Sequence, residues 1–518
     1  VSKHLKNISV VATATVLSRV LGLVRDTLSA AIFGASLLNT AFLSAFRLPN
    51  LFRRLLGEGA LTAAFLPNLQ EELHANGRPG AFALLNKVAS WLLLVTGALS
   101  ALLMTVFSQS RRFPGHDEIW YVLADLSVIL VPYVVFVCLA AAFSATLQVF
   151  QRFLEPALSP IWLNLAMIVT LGGAGLHFAT TKLGEIHWLC AGVLIGGFLQ
   201  MAVPAAALIW REGWRPRFDL GLSPRLRDIA LLMAPGLWGT AIYQVNTYVS
   251  SLLAVSINDS AGTWMFYANR LMELPIGVFA IAVSTVIYPL LSQHAVERNF
   301  TALAEDFRKG IRLILIINVP AAAGLALLSE PIVRLLFERH QFTVVDTQAT
   351  AQLLAIYVLG LPFFSVVSLT VRAFYSVKNT KAPVRVATFD FVVNLGLSLI
   401  LMRWLGAAGL VIASTVAIIT QTLLLQRALA GALPGMSLVP LVPDIGKILT
   451  ATAAMSAVVW GGTLLIGRLA LAGKLGDLLA VAGLIPVACA VYGGLLWLLK
   501  IEGREDFEAL LAKIRARF

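Results

Sequence analysis

Charge is what this chain has least of. Only 13% of its 518 residues are Asp, Glu, Lys or Arg, where a soluble globular chain carries about 25%. With 58% hydrophobic residues, that shortage excludes a water-soluble domain and points to an all-α polytopic membrane protein. Cysteine is scarce too. Cys138, Cys190 and Cys489 lie far apart in apolar stretches, which excludes a disulfide framework and a thiolate metal site. The histidines sit at segment ends or in loops without a metal-like pair. No H-E-x-x-H, P-loop or G-x-S-x-G motif is present, so zinc-peptidase, nucleotide-driven and serine-hydrolase chemistry have no carrier. No cofactor and no metal are expected. Long loops are missing as well. The longest, Arg211–Asp228 and Gln293–Lys309, are too short for a catalytic domain, and the second reads as a short amphipathic helix.

What is there is a series of apolar runs. A membrane span needs roughly 20 apolar residues, and about fourteen stretches qualify. They are 8–33, 37–56, 84–107, 119–149, 157–178, 187–210, 228–256, 262–292, 310–337, 347–376, 384–402, 407–429, 445–468 and 477–499. The first carries arginine and lacks an A-x-A cleavage site at its carboxyl end, so it is expected to be a retained helix. The net charge of +12 belongs to loops that orient helices, not to a nucleic-acid surface. Alternate loops hold about 24 basic residues against about 7 in the other set, which puts both termini in the cytoplasm. In the tail, 501–518, Phe507, Leu510, Leu511, Ile514 and Phe518 share one face beside Lys513, Arg515 and Arg517. That pattern suits a helix on the inner membrane surface.

The runs repeat. Pro132 and Asn164 are spaced like Pro362 and Asn394, with Ala142-Phe143-Ser144 and Ala373-Phe374-Tyr375 between them. Arg47-Leu48 leads to Pro67-Asn68-Leu69 as Arg270-Leu271 leads to Pro289-Leu290-Leu291. Two echoes in one order predict two six-helix lobes, 1–215 and 225–430, related by an axis along the membrane normal. The stretch 444–500 is left over as two C-terminal helices.

Residues 17–67 carry Arg19, Arg25, Asp26, Arg47, Arg53, Arg54 and Glu58 inside apolar runs. A charge at the bilayer centre costs about 3 kcal/mol on insertion scales, so these residues should face protein or water. Arg54 and Glu58, four apart, can pair, which leaves Arg53 the better ligand. Gly57 and Gly59 around Glu58 allow close helix contact. In the second half Arg270 and Glu273 lie one turn apart, before Pro275 and Gly277, which can bend the helix. Guanidinium forks suit multi-oxygen phosphates. Arg19, Arg25, Arg53 and Arg270 are the candidate substrate ligands, with Asp26, Glu58 and Glu273 as supporting acids of a central cavity. Pairing of Arg25 with Asp26 merely to lock helices is the plainer alternative.

The runs Ser18–Asp26, Phe33–Ala35, Arg47–Ala60 and Tyr267–Val278 resemble the MurJ/MviN family. These are bacterial lipid II flippases of the multidrug/oligosaccharidyl-lipid/polysaccharide exporter superfamily. The resemblance covers the whole chain in length and helix count. It implies two lobes around a cationic cavity, with two added C-terminal helices forming a groove for the polyprenyl tail. Essential family arginines match Arg19, Arg25, Arg53 and Arg270, and its associated acids match Asp26 and Glu58. The implied activity is alternating-access flipping of lipid II across the bacterial inner membrane, with lipid II and membrane lipids as partners alongside cell-wall synthesis machinery. Another polyprenyl-linked glycan, or a membrane glycosyl- or phosphotransferase activity, is the alternative. The chain departs from the family at Thr40 and Asn269, where relatives often carry acids. Ser250 and Ser398 stand where relatives with a sodium site have acids, so sodium coupling is not expected.

Overall fold

The computed structural model of the chain describes residues 3–55, 61–113, 115–433, 435–468 and 473–502. Among the described residues every regular element is a helix and no strand occurs. A backbone in hydrocarbon has no water to bond, so it must satisfy its amides within itself. Nine helices among the described residues are long and apolar enough to cross a bilayer, or ten if one bent pair counts as a single span. Contacts divide the chain into two compact units: Val1–Thr263 with Arg339–Phe342, and Trp264–Glu338 with Thr343–Phe518.

The first unit holds α1 (Lys3–Phe33), α2 (Leu37–Phe52), α3 (Leu61–Ser108), α4 (Glu118–Leu130), α5 (Tyr133–Val149), α6 (Leu154–Val169), α7 (Leu176–Phe178), α8 (Lys182–Glu212) and α9 (Pro224–Val255). Helix α1 packs on α6, α6 on α8, and α3 on α5 and α9. Small residues set the closest approach: a Cβ on Gly196 would lie 2.8 Å from Leu163 Cα, and one on Gly192 2.9 Å from Met167 Cα. Such a four-residue spacing lets α8 and α6 touch backbone to backbone. Caps come from Ser36, Thr181 and Ser223, whose side chains accept the orphan amides of Asn39, Gly184 and Leu226. The long loop after α8 is fastened along α3. Asn86 Oδ1 accepts from Trp214 Nε1 at 2.9 Å and from the Arg217 amide at 3.2 Å. Lys87 pairs with Asp219 at 2.7 Å. At the far end of α1, the Gln341 amide donates to the Ala31 carbonyl at 3.1 Å.

The second unit holds most of α10 (Ala261–Pro275), then α11 (Ile281–Val296), α12 (Phe300–Leu327), α13 (Ser329–Phe337), α14 (Val344–Tyr357), α15 (Leu361–Ser376), α16 (Lys381–Leu405), α17 (Ala407–Ala432), α18 (Val442–Arg468), α19 (Lys474–Leu478) and α20 (Leu484–Leu498). Phe307, Ile311, Leu369, Phe374 and Leu425 form its core. Helices α18 and α20 pack together and α18 packs on α12. Tyr492 Oη donates to the Ile316 carbonyl at 2.7 Å, and Arg312 pairs with Asp444 at 2.7 Å. Gln293–Lys309, expected as a short amphipathic helix, is instead divided between the end of α11 and the first turns of α12, where Leu303 and Phe307 are buried. Tail residues 503–518 lie outside the described set.

The two sequence halves break at corresponding residues. A positive-φ residue interrupts α3 at Gly77 and separates α11 from α12 at Arg298. Positive φ recurs at Gly115 and His340, and at Gln151 and Lys378. Pro132 stands at the 41° bend between α4 and α5, as Pro362 stands after the turn between α14 and α15. A π turn begins six residues after Arg47, at Arg53, and six after Arg270, at Ile276. These breaks follow the sequence repeat. Packing groups the chain differently, since α9, which opens the second repeat, packs on α2 and α3 in the first unit.

Candidate functional site

The charge-bearing part of α1 is held by one side chain of α6. Asn164 Nδ2 donates to the Ser18 carbonyl at 3.0 Å, and Asn164 Oδ1 accepts from Arg25 Nη1 at 3.0 Å. One amide thus grips α1 across two turns and aims the guanidinium. The rest of the fork turns to the adjacent residue: Arg25 Nε and Nη2 lie 2.9 and 2.6 Å from Asp26 Oδ1. Asp26 is only 3% exposed. A carboxylate so buried needs a counter-ion, and breaking such a pair by removing one partner costs about 3–5 kcal/mol. In this conformation the plainer alternative therefore describes the geometry of Arg25 and Asp26: they pair with one another and with α6. Arg19 is half-buried on the same helix, nearer its amino-terminal end.

Arg53 sits in the π turn that follows α2. Its Nε donates to Asn50 Oδ1 at 3.1 Å, and Asn50 Nδ2 donates to the Phe46 carbonyl at 2.9 Å. Such turns shift the side-chain register and favour functional positions. Arg47 and Arg54 are half-buried nearby. Glu58, the expected partner of Arg54, lies outside the described residues with Gly57 and Gly59. In the second unit Arg270 and Glu273 are both half-buried on α10. Glu273 Oε1 accepts from Asn269 Nδ2 at 3.1 Å, so the asparagine that replaces a family acid is the one that holds Glu273. The helix then breaks over Ile276–Ala280, where Pro275 and Gly277 predict a bend.

Each of Arg25, Arg53 and Glu273 thus has an asparagine beside it: Asn164, Asn50 and Asn269. Asn164 drew notice in the sequence only as a repeat marker, and nothing in one sequence shows which distant helix an amide will reach. Its repeat mate Asn394 accepts from Ser398 Oγ at 3.1 Å, both residues being buried. Among the described residues no group of three His, Cys, Asp or Glu is placed to hold a metal. A guanidinium fork oriented as that of Arg25 is has the geometry that suits a multi-oxygen anion.

The sequence profile described as "Lipid II flippase MurJ" matches residues 29–473. A protein of Bdellovibrio bacteriovorus named "Probable lipid II flippase MurJ" is 34% identical over 510 residues, covering 96% of this chain and 95% of that one. One from Haemophilus influenzae with the same name is 33% identical, covering 94% and 98%. The fold matches a solved structure described as "Lipid II flippase MurJ, inward closed conformation", with TM-score 0.75 and 27% identity over 94% of this chain and 97% of that one. A multidrug resistance MATE family transporter of the MOP superfamily, in an inward-facing conformation, shares the fold alone, at TM-score 0.65 and 15% identity over 80% and 95%. The chain belongs to the lipid II flippase MurJ family.

Proposed function

We infer that this protein is a flippase that moves lipid II, the lipid-linked peptidoglycan precursor, from the cytoplasmic to the periplasmic leaflet of a bacterial inner membrane. The observation that carries the reading is family membership along nearly the whole chain. The chain crosses the membrane fourteen times with both termini cytoplasmic, as the asymmetry of basic loop residues supports. Lobes 1–215 and 225–430 rock about a central cavity. Helices in 444–500 guide the polyprenyl tail, and the segment 501–518 rests on the inner surface.

Arg19, Arg25, Arg53 and Arg270 bind the pyrophosphate. Asp26 and Glu273, with Glu58, are the resident acids that hold cationic side chains when substrate is absent. For Arg25 the exchange is concrete. Its fork rests on Asp26 and Asn164. An incoming pyrophosphate oxygen takes the place of the Asp26 carboxylate while Asn164 keeps the guanidinium oriented. Return of Asp26 then helps the anion leave on the far side. Binding without such a competitor would hold the anion and stop the cycle, since a transport site must release what it binds. The chemistry is non-covalent, so the protein acts as a transporter rather than an enzyme.

The test is replacement of the native flippase in a bacterium by this chain bearing Arg19→Ala, Arg25→Ala, Arg53→Ala or Arg270→Ala. The expected result is loss of growth with lipid II retained in the inner leaflet. Normal growth and normal outward lipid II in all four variants would sink the arginine assignment.

A further inference from the structure

A cavity of about 790 Å³ opens along α1 at the end away from its amino terminus, entirely within the first unit. Leu23, Thr27 and Ala31, spaced four apart on one helical face, form its wall, and Leu176 at the end of the neighbouring hairpin closes the side. Its mouth is basic: Lys182, Arg339 and His340 line it and all three are exposed. Lys182 also meets Glu185 at 2.8 Å, so two cationic side chains and one histidine line the mouth against one carboxylate. In this conformation the mouth is joined to the wall. The Gln341 amide bonds the Ala31 carbonyl, and the Gln341 carbonyl lies 2.3 Å from where a Cβ on Gly34 would stand.

We propose that this cavity is a binding site for an anionic phospholipid, with an acyl chain along the α1 wall and the phosphate on Lys182, Arg339 and His340. The argument is complementarity of two kinds at one place. An apolar slot this size matches a hydrocarbon chain, and the basic side chains that line it with the apolar ones match the phosphate to which such a chain is attached. Basic residues are sparse in this set of loops, so a cluster of three beside an apolar slot stands out, and the attraction of Lys and Arg for anionic lipid does not depend on the leaflet. The site does not involve the arginines assigned to the substrate, and it forms in the conformation that brings residues 339–341 onto α1.

The test is native mass spectrometry of the full chain in micelles with phosphatidylglycerol or phosphatidylcholine of identical acyl chains. The wild type should retain phosphatidylglycerol about tenfold better, the size expected from one to two basic contacts. The variant Lys182→Gln with Arg339→Gln should lose that preference while binding both lipids weakly. Thr27→Phe, which fills the slot and leaves both charges, should lower retention of both lipids, and it reads the site even if the double variant folds poorly. Equal retention of the two lipids by the wild type would overturn the proposal. So would an unchanged preference in the folded double variant, unchanged retention in Thr27→Phe, or displacement of phosphatidylglycerol by an equal concentration of a prenyl phosphate.

Discussion

At Arg25 two requirements meet in one side chain. It neutralises a buried carboxylate and, in the proposed cycle, it presents a fork for an anion, while Asn164 fixes the guanidinium from α6. A lysine cannot reproduce this, because a single ammonium lacks the planar fork that reaches Asp26 and Asn164 together. Arg25→Lys should therefore fail to support growth nearly as fully as Arg25→Ala, although charge is kept. Asn164→Ala should leave the charge pair but free its orientation, giving slower flipping at normal protein levels. A lipid II exposure assay beside an immunoblot separates the two, and full activity in Arg25→Lys would show that charge alone suffices. Residue types made the arginines visible in the sequence, since charge in an apolar run stands out. The asparagines were not visible as partners, since an amide in a membrane helix is common and its reach depends on packing between helices far apart in the chain.

Helices in this protein are held by their connections as much as by their faces. The loop after α8 lies on α3 through Asn86, which accepts from Trp214 and from the Arg217 amide and donates to the Arg215 carbonyl at 3.3 Å. Three bonds worth about 1 kcal/mol each make Asn86→Ala cost about 2 kcal/mol once water replaces part of them. A lower midpoint in detergent unfolding, with unchanged helicity before the transition, would register it. Beside it, the side-chain hydrogen bond from Lys87, aided by the Gly221 amide, holds the Asp219 carboxyl below its usual range. A carboxyl depressed on folding stabilises the fastened loop above its unfolded pKa, and that contribution is lost as pH falls through the folded value. Trp214 fluorescence should report loosening of the loop in strong acid, and Asp219→Asn should remove that component of the acid response. The loop's length and basic residues were plain from the sequence, but its course along α3 was not, because Trp214 and Asn86 are joined only by the fold. The expected short helix at 293–309 failed for a simpler reason: Gly310, which follows it, is buried against Leu369 and Ile287 rather than ending the helix, so α12 runs on through Leu327.

For the molecule as a whole, the repeat was the most legible feature, because Pro and positive-φ positions leave marks that a backbone must obey. The offset of Pro132 and Pro362 is visible both in the letters and in the breaks, while that of Gly77 and Arg298 shows only in the backbone. How helices group by packing was less legible: α9 begins the second repeat yet packs on α2 and α3, since contact follows shape rather than ancestry. Two repeated halves imply a cycle between two states, and such a cycle needs a source of free energy. No nucleotide motif supplies one in this chain. The pyrophosphate carries about two negative charges outward across an inside-negative membrane, and each is worth about 2.3 kcal/mol per 100 mV. If the cavity arginines stay in place while the anion crosses, the potential favours export by about 4–5 kcal/mol at 100 mV. Collapsing the potential with a potassium ionophore at matched potassium, with the proton gradient held constant, should then slow outward exposure of lipid II in cells or vesicles. If arginine movement cancels the substrate charge, the same treatment should leave the rate unchanged, so the measurement also tells whether the cationic cavity stays fixed.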